Sequence, residues 1–273
     1  MLVLEPSALR SHYRDLYARP DRPLDVALRS LLPPALRDPH LASLRSTGFL
    51  TTQALDRLLA SLRGATSARA GIAAPIQLLD LGCGLGRVGV YVANAIGAQA
   101  WGIDICCLAP ISDNAQSNRG SEQSHLVCGD LHRLPFRAGQ FQVAIALEVI
   151  HLVTDVQQVL SEIRRVLANS ATLVVSVYDR AGMHMPKRSS ADWVGFFTRA
   201  SFHVLDWVDV TAEWRSVMRE KHAARLGAQE GLIEKYRLEA LAEIEVSKQM
   251  LGGTDGLGFL DVTSRWEATL AAA

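Results

Sequence analysis

Four groups able to do chemistry close four successive apolar runs of the sequence. Asp80 follows Leu78-Leu79, Asp104 follows Ala100-Trp101-Gly102-Ile103, Asp130 follows His125-Leu126-Val127-Cys128-Gly129, and His151 follows Phe141 to Ile150. Just after the first run, Gly82-Cys83-Gly84-Leu85-Gly86 sets three glycines in alternation. Such a turn has no Cβ in the way, so a ligand can lie against bare peptide. An acid at the tip of the second strand is where a nucleoside-binding βαβ unit grips the ribose hydroxyls. This spacing predicts a site for an adenosine-type cofactor.

Asp80 decides which cofactor. Read in another frame, Gly84-Leu85-Gly86-Arg87-Val88-Gly89 is a dinucleotide fingerprint, with Asp104 at about the distance expected for a ribose partner. A dehydrogenase, however, seats a pyrophosphate at the helix that follows, and the Asp80 carboxylate would repel it. A cofactor carrying an ammonium and a sulfonium would be attracted. The run Asp80-Leu81-Gly82-Cys83-Gly84-Leu85-Gly86 resembles the first motif of class I S-adenosylmethionine-dependent methyltransferases. The resemblance extends through Gly129-Asp130-Leu131-His132-Arg133-Leu134-Pro135-Phe136, similar to the family's Gly-Asp-x-x-x-Leu-Pro-Phe segment, and through Glu162 to Leu167. It is firm over residues 75–180 and loose at the flanks. Two departures, Gln142 for the usual Asp and Ala168-Asn169-Ser170-Ala171 for the usual Lys-Pro-Gly-Gly, mark a divergent member.

The resemblance implies S-adenosyl-L-methionine as cofactor and assigns its contacts. Asp80, Gly82, Gly84 and Gly86 form the turn, and Asp104 with Ile105 the ribose end. Asp130 takes the adenine amino group and the Leu131 amide a ring nitrogen. Glu148 is a cofactor-side acceptor, and Tyr13 or Tyr17, one helical turn apart, would lie over the cofactor. His151 matches the first histidine of a His-His-x-Pro-Asp segment, with Leu152 and Thr154 replacing the second histidine and the proline. Imidazole titrates near neutral pH, so His151 is the candidate base, with Asp179 orienting it or the substrate. The plainer alternative is that His151 packs beside the cofactor. The expected reaction is methyl transfer to a small organic metabolite, of the ubiquinone, sarcosine or antibiotic-tailoring type in secondary metabolism. A non-methylating cyclisation or elimination on the same fold is the second reading, a nicotinamide dehydrogenase the third.

These groups need a parallel sheet to bring them to one edge. From Gln77 the chain alternates strand and helix, which predicts an α/β, Rossmann-like, seven-stranded doubly wound sheet. Strands are expected over 78–81, 101–105, 125–128, 141–147, 172–178, 204–210 and, last, Gly258–Val262. The expected division is residues 1–74 as N-terminal helices covering the site, 75–210 as the cofactor core, 211–251 as a helical cap between the sixth and seventh strands, and 252–273 as the final strand. In the N-terminal part, Gln53 to Leu62 carries Leu55, Leu58, Leu59 and Leu62 on one face, with Gly64 to Pro75 as a linker. A first helix from Ser7 and a polar helical segment around 113–118 are also expected. Trp193, Phe196, Phe197, Trp207, Trp214 and Tyr236 are candidate substrate walls, each also readable as core. His184, between Met183 and Met185, lies in a loop beside the pocket, while His132 and His203 are read as structural.

Composition narrows the partners. The chain has no net charge and no long basic run, which argues against a phosphate-neutralising nucleic-acid partner. Its 49% hydrophobic content contains no run of membrane-spanning length, and Met1-Leu2-Val3-Leu4-Glu5-Pro6 lacks the features of a signal peptide. Cys83, Cys106, Cys107 and Cys128 include no Cys-x-x-Cys, so free thiols in a reducing cytosol are expected and no metal site. A cytoplasmic protein acting on a small molecule results, with a homodimer compatible.

Overall fold

The computed structural model describes residues 23–32, 50–67, 75–106, 124–180, 186–252 and 257–273. The expected first helix from Ser7, Tyr13, Tyr17, the segment around 113–118, Cys107 and His184 lie outside them. The elements in order are α1 (Pro23–Ser30), α2 (Thr52–Ser67), β1 (Ile76–Leu81), α3 (Arg87–Ile96), β2 (Ala98–Asp104), β3 (Ser124–Cys128) and β4 (Phe141–Ala146). There follow a short 3-10 turn (Ile150–Leu152), α4 (Val156–Val166), β5 (Leu167–Tyr178), α5 (Ser190–Arg199) and β6 (Phe202–Asp209). The chain then forms α6 (Thr211–Gly227), α7 (Gln229–Tyr236), α8 (Leu238–Leu251), α9 (Phe259–Val262) and β7 (Arg265–Ala272).

The strands form one seven-stranded sheet in the order β3-β2-β1-β4-β5-β7-β6. Pairings from β3 to β5 are parallel, and β7 runs antiparallel to both β5 and β6. Order reverses between β1 and β4, which opens a crevice at the carboxyl ends of those strands. On one face, Leu55, Leu58, Leu59 and Leu62 of α2 and Val92 and Ala93 of α3 pack on Leu78, Val143, Ile145 and Val174. On the other, Val156, Val159, Leu160 and Ile163 of α4 and Trp193 and Phe197 of α5 pack on Leu79, Ala144, Leu173 and Val175. The doubly wound α/β architecture expected from the alternation is therefore present. Gln142 is itself a tie: its Oε1 accepts from the Gln77 amide at 2.9 Å, joining β4 to the start of β1.

Three sequence expectations need correction. The last strand is not Gly258–Val262. That stretch is the one-turn helix α9, because the Asp261 carboxylate accepts from the Gly258 amide at 2.9 Å and closes a helical turn. The strand is Arg265–Ala272, with Trp266, Ala268, Leu270 and Ala272 buried in alternation. Its alanines carry little β-propensity, so composition hides it. Second, α2 continues through Gly64 to Ser67, five residues past the expected end of that helix. Third, Cys83 and Cys106 are free, but Cys128 is disulfide-bonded, to a partner outside the described residues. The β2–β3 register sets Cys128 beside Asp104, where the chain leaves β2. The free-thiol argument for a reducing compartment does not extend to Cys128.

Helices α6 to α9 lie between β6 and β7. They enclose a cluster of their own, in which Leu232, Ala240 and Ile244 pack with Leu24 and Leu28 of α1. Met218 and Trp214 of α6, Met250 of α8 and Leu260 of α9 close over Tyr178 at the end of β5. Among the described residues no helix is long and apolar enough to cross a membrane.

Candidate active site

The glycine turn sits at the carboxyl end of β1. Gly82, Gly84 and Gly86 have φ of 70°, 53° and 75°, in the left-handed region that a Cβ disfavours. The turn hangs on β2, since the Gly82 and Cys83 amides both donate to the Ile103 carbonyl. Asp104, at the tip of β2, reaches back across it. Its Oδ2 accepts from the Gly84 amide at 2.9 Å and its Oδ1 from the Cys106 amide at 2.8 Å. One carboxylate thus fixes the turn and the chain around Ile105, and each oxygen keeps a second lone pair.

Asp80 is 5% exposed, and its Oδ2 accepts from the Gly89 amide at 3.0 Å in the first turn of α3. Gly89 is what permits this approach, because a Cβ there would stand 2.7 Å from that oxygen. A free amide at a helix start is what a diphosphate would use; here a carboxylate already holds it. Burial pushes the Asp80 pKa up to about 7, with Asp104 adding to the rise and the Gly89 bond opposing it. A buried acid with so weak a hold on its charge suits a cationic group, and the donor set of bare amides and carboxylates fits an amino-acid-bearing sulfonium.

Asp130 and Leu131 lie at the end of β3, as expected. Asp130 Oδ1 accepts from the His132 amide at 2.9 Å and from its Nδ1 at 2.7 Å. His132 Nε2 accepts from the Asp155 amide at 3.3 Å, so Nδ1 is the nitrogen that donates to Asp130. His132 therefore pins the Asp130 turn to the start of α4, a positioning role. Leu131 is buried among the core residues.

Glu148 departs from its expected place. Its backbone, at φ 60°, stands beside the crevice, and Val149 next to it fills the space where a Gly82 Cβ would go, 2.6 Å away. Its carboxylate turns from the glycine turn toward β5 and β7. It accepts from Tyr178 Oη at 2.5 Å, from Arg265 Nη2 at 2.7 Å and from Ser176 Oγ at 3.1 Å. Arg265 is 2% exposed and lies 3.8 Å from Glu267. Glu267 pairs with Arg57 of α2 at 2.8 Å, and Arg57 with Glu213 of α6 at 2.9 Å. This chain of charges was not read from the sequence; the one local signal was an arginine opening an otherwise apolar, alternating run.

His151 is buried, with its ring 4.7 Å from that of Tyr178 in an edge-on contact. Burial, with the Arg265 and Arg188 charges, lowers its pKa to about 3. Among the described residues no hydrogen bond joins the His151 Nδ1 to Asp179, whose two oxygens likewise lack a hydrogen-bond partner. Fully buried, the Asp179 carboxylate instead has Lys187 at 3.5 Å and Arg180 at 3.9 Å. Of the six aromatic candidates, Trp214 and Trp193 meet the end of β5: the Trp214 ring lies 5.4 Å from that of Tyr178, and Trp193 Nε1 donates to the Tyr178 carbonyl at 2.8 Å. Trp193 and Phe197 lie in the sheet core with Phe196 and Trp207 packed against it, and Tyr236 packs inside the insert.

Comparison with known proteins places this geometry. Residues 79–175 match the family model described as a methyltransferase domain. Norajmaline N-methyltransferase of Rauvolfia serpentina is 32% identical over 109 residues, covering 38% of this chain and 36% of that protein. The chain spans between about a third and three fifths of the length of the curated relatives it matches. Among solved structures, the [4+2]-cyclase SpnF has a TM-score of 0.62 at 23% identity, covering 81% of this chain and 82% of that one. Phosphoethanolamine N-methyltransferase 2 of Haemonchus contortus, in complex with S-adenosyl-L-methionine, has a TM-score of 0.59 at 15% identity, covering 81% and 57%. The sheet order, the glycine turn with its two carboxylates and the match of residues 79–175 to a methyltransferase domain agree: the core of the chain is similar to class I S-adenosylmethionine-dependent methyltransferases, with S-adenosylmethionine as its cofactor.

Proposed function

We propose that this chain transfers a methyl group to a small organic metabolite, in secondary metabolism of the antibiotic-tailoring kind. The observation that carries the reading is the meeting, at the ends of β1 and β2, of a left-handed glycine turn with a buried acid that would rather not be charged alone. When bound, S-adenosylmethionine supplies an activated methyl group and its own leaving group. Asp80 and the amides of Gly82, Gly84 and Gly86 receive the amino-acid end, Asp104 and Ile105 the ribose, and Asp130 and Leu131 the adenine. Tyr13 and Tyr17 belong to the segment preceding α1, which would cover the cofactor together with the helical insert. Glu148 supports the floor between cofactor and acceptor, and His151 and Tyr178 face the acceptor. Since His151 is neutral through the physiological range, its first role is to orient the acceptor by hydrogen bonding. Asp179 balances the basic residues around it rather than steering the imidazole.

A non-methylating cyclisation is the second reading, favoured by the overall similarity to a [4+2]-cyclase. Incubation with S-adenosylmethionine and a panel of candidate acceptors separates the two. Methyl transfer releases S-adenosylhomocysteine in step with a product heavier by one methylene unit. Product without S-adenosylhomocysteine would establish the cyclase reading instead.

A further inference from the structure

Two polar groups on the acceptor side make no direct hydrogen bond or ion pair among the described residues. Nδ1 of His151 is buried without a hydrogen bond, in a residue 7% exposed. The half-buried Arg188 lays its guanidinium over the Trp193 ring, 5.3 Å from the centroid, and makes no hydrogen bond or ion pair there. It sits next to Ser189, the N-cap of α5, and its amide donates to the Asp179 carbonyl, so it is anchored at the end of β5.

The nearby acids are each held by other donors, and Asp192 acts on the Arg188 charge without a direct contact. Glu148 is held by Arg265, Tyr178 and Ser176. Asp179 has Lys187 and Arg180 beside it. Asp192 accepts from the Ser189 amide at 2.7 Å and from its hydroxyl at 2.8 Å, completing a capping box. The Arg265 guanidinium lies 5.5 Å from the centroid of the Tyr178 ring, the ring that His151 also touches. The acceptor side therefore carries a guanidinium that makes no direct ion pair among the described residues, beside an imidazole nitrogen without a hydrogen bond. A cationic acceptor would be repelled there, and a neutral oxygen would satisfy the N–H donors more weakly than an anionic one.

We propose that the methyl acceptor carries an anionic oxygen group, a carboxylate or a phosphate, which Arg188 binds with the Nδ1–H tautomer of His151 beside it. This deepens the methyl-transfer reading and rests on the strand ends being its site. A guanidinium forks onto either anion through paired N–H donors. Arg188 is thus a specificity-determining residue, and His151 needs no proton of its own to serve it.

The test is binding to the full chain. S-adenosylhomocysteine is first titrated by calorimetry to saturate the cofactor site. Benzoate, phenyl phosphate and their neutral counterpart benzamide are then titrated while tryptophan fluorescence is followed, since Trp193 lies under Arg188. At least one anion should bind roughly tenfold or more tighter than benzamide, the worth of a charge-assisted pair, and the two anions compared tell carboxylate from phosphate. Arg188→Gln should abolish that preference and Arg188→Lys restore part of it, both with S-adenosylhomocysteine affinity unchanged. Saturable S-adenosylhomocysteine binding with no anion bound, with anion and benzamide bound alike, or with a preference surviving Arg188→Gln, overturns the inference alone. Failure to bind S-adenosylhomocysteine overturns the cofactor site, and this inference with it.

Discussion

The two halves of the strand-end crevice are built from opposite charges and from different reaches of chain. On the cofactor side the groups are carboxylates, and their partners are near in sequence. Asp80 meets Gly89 nine residues on, and Asp104 meets Gly84 twenty residues back. On the proposed acceptor side the organising groups are arginines, and their partners are far away. Arg265 reaches Glu148 across 117 residues, and Arg57 reaches Glu213 across 156 and Glu267 across 210. The cofactor half is a local device that one βαβ unit carries with it. The acceptor half exists only when β7, α2 and the insert have all docked, so it can vary without disturbing the first.

That contrast breaks most visibly at Arg265. Replacing it by Met leaves Glu148 without its buried counter-charge and Glu267 with Arg57 alone of its two ion-pair partners. A buried pair stripped of one partner loses about 3–5 kcal/mol. Urea unfolding of Arg265→Met should show a loss of that order, and adding Glu148→Gln should recover a good part of it. A variant as stable as the parent would mean that the acceptor half is not held together by this arginine.

The same contrast explains what the sequence made legible. The glycine turn, Asp80, Asp104 and Asp130 could be placed because their chemistry depends on residues a few positions apart, on elements whose apolar periodicity is plain. The strand Arg265–Ala272 could not, because its inward positions include Ala268 and Ala272, and Phe259-Leu260 offered a more apolar decoy nearby. Arg188 and Glu148 were misjudged or passed over for a related reason. Whether a charge is spent depends on partners brought in by tertiary packing, and no spacing along the chain reports that. His151 was legible as a residue at the acceptor edge but not in its protonation, which is set by burial and two arginines.

The next effect in size belongs to the cofactor half. Asp80 has its folded pKa raised from 3.8 to about 7, by burial first, so the folded state keeps this proton where the unfolded state has lost it. Stability from this group is intact below pH 4 and falls as pH rises toward about 7, by on the order of 4 kcal/mol at most. Above that range the loss is complete. Asp80→Asn cannot ionise, so the difference in unfolding free energy between parent and variant should change in this direction between pH 4 and 7. Saturating S-adenosylmethionine should shrink the difference by stabilising the ionised carboxylate, with proton release detectable by calorimetry in buffers of differing ionisation enthalpy. A difference flat with pH would place Asp80 in water.

The smallest effect lies at the joint between the halves. Arg57 pairs with Glu213 and Glu267, but its side chain and that of Glu213 are about a third exposed, at 31% and 32%. Solvent screening therefore discounts the pair, and exposed ion pairs contribute about 0–1 kcal/mol each. A double-mutant cycle of Arg57→Ala and Glu213→Ala should give a coupling of about 1 kcal/mol or less, weakening with added salt. Glu267 is more buried, at 13%, so the corresponding cycle with Glu267→Gln should give the larger value. If the two couplings came out equal, burial would not be what grades these contacts, and the insert would be clamped to α2 as firmly as β7 is. The acceptor half would then be a single rigid unit rather than an insert resting on a fixed floor.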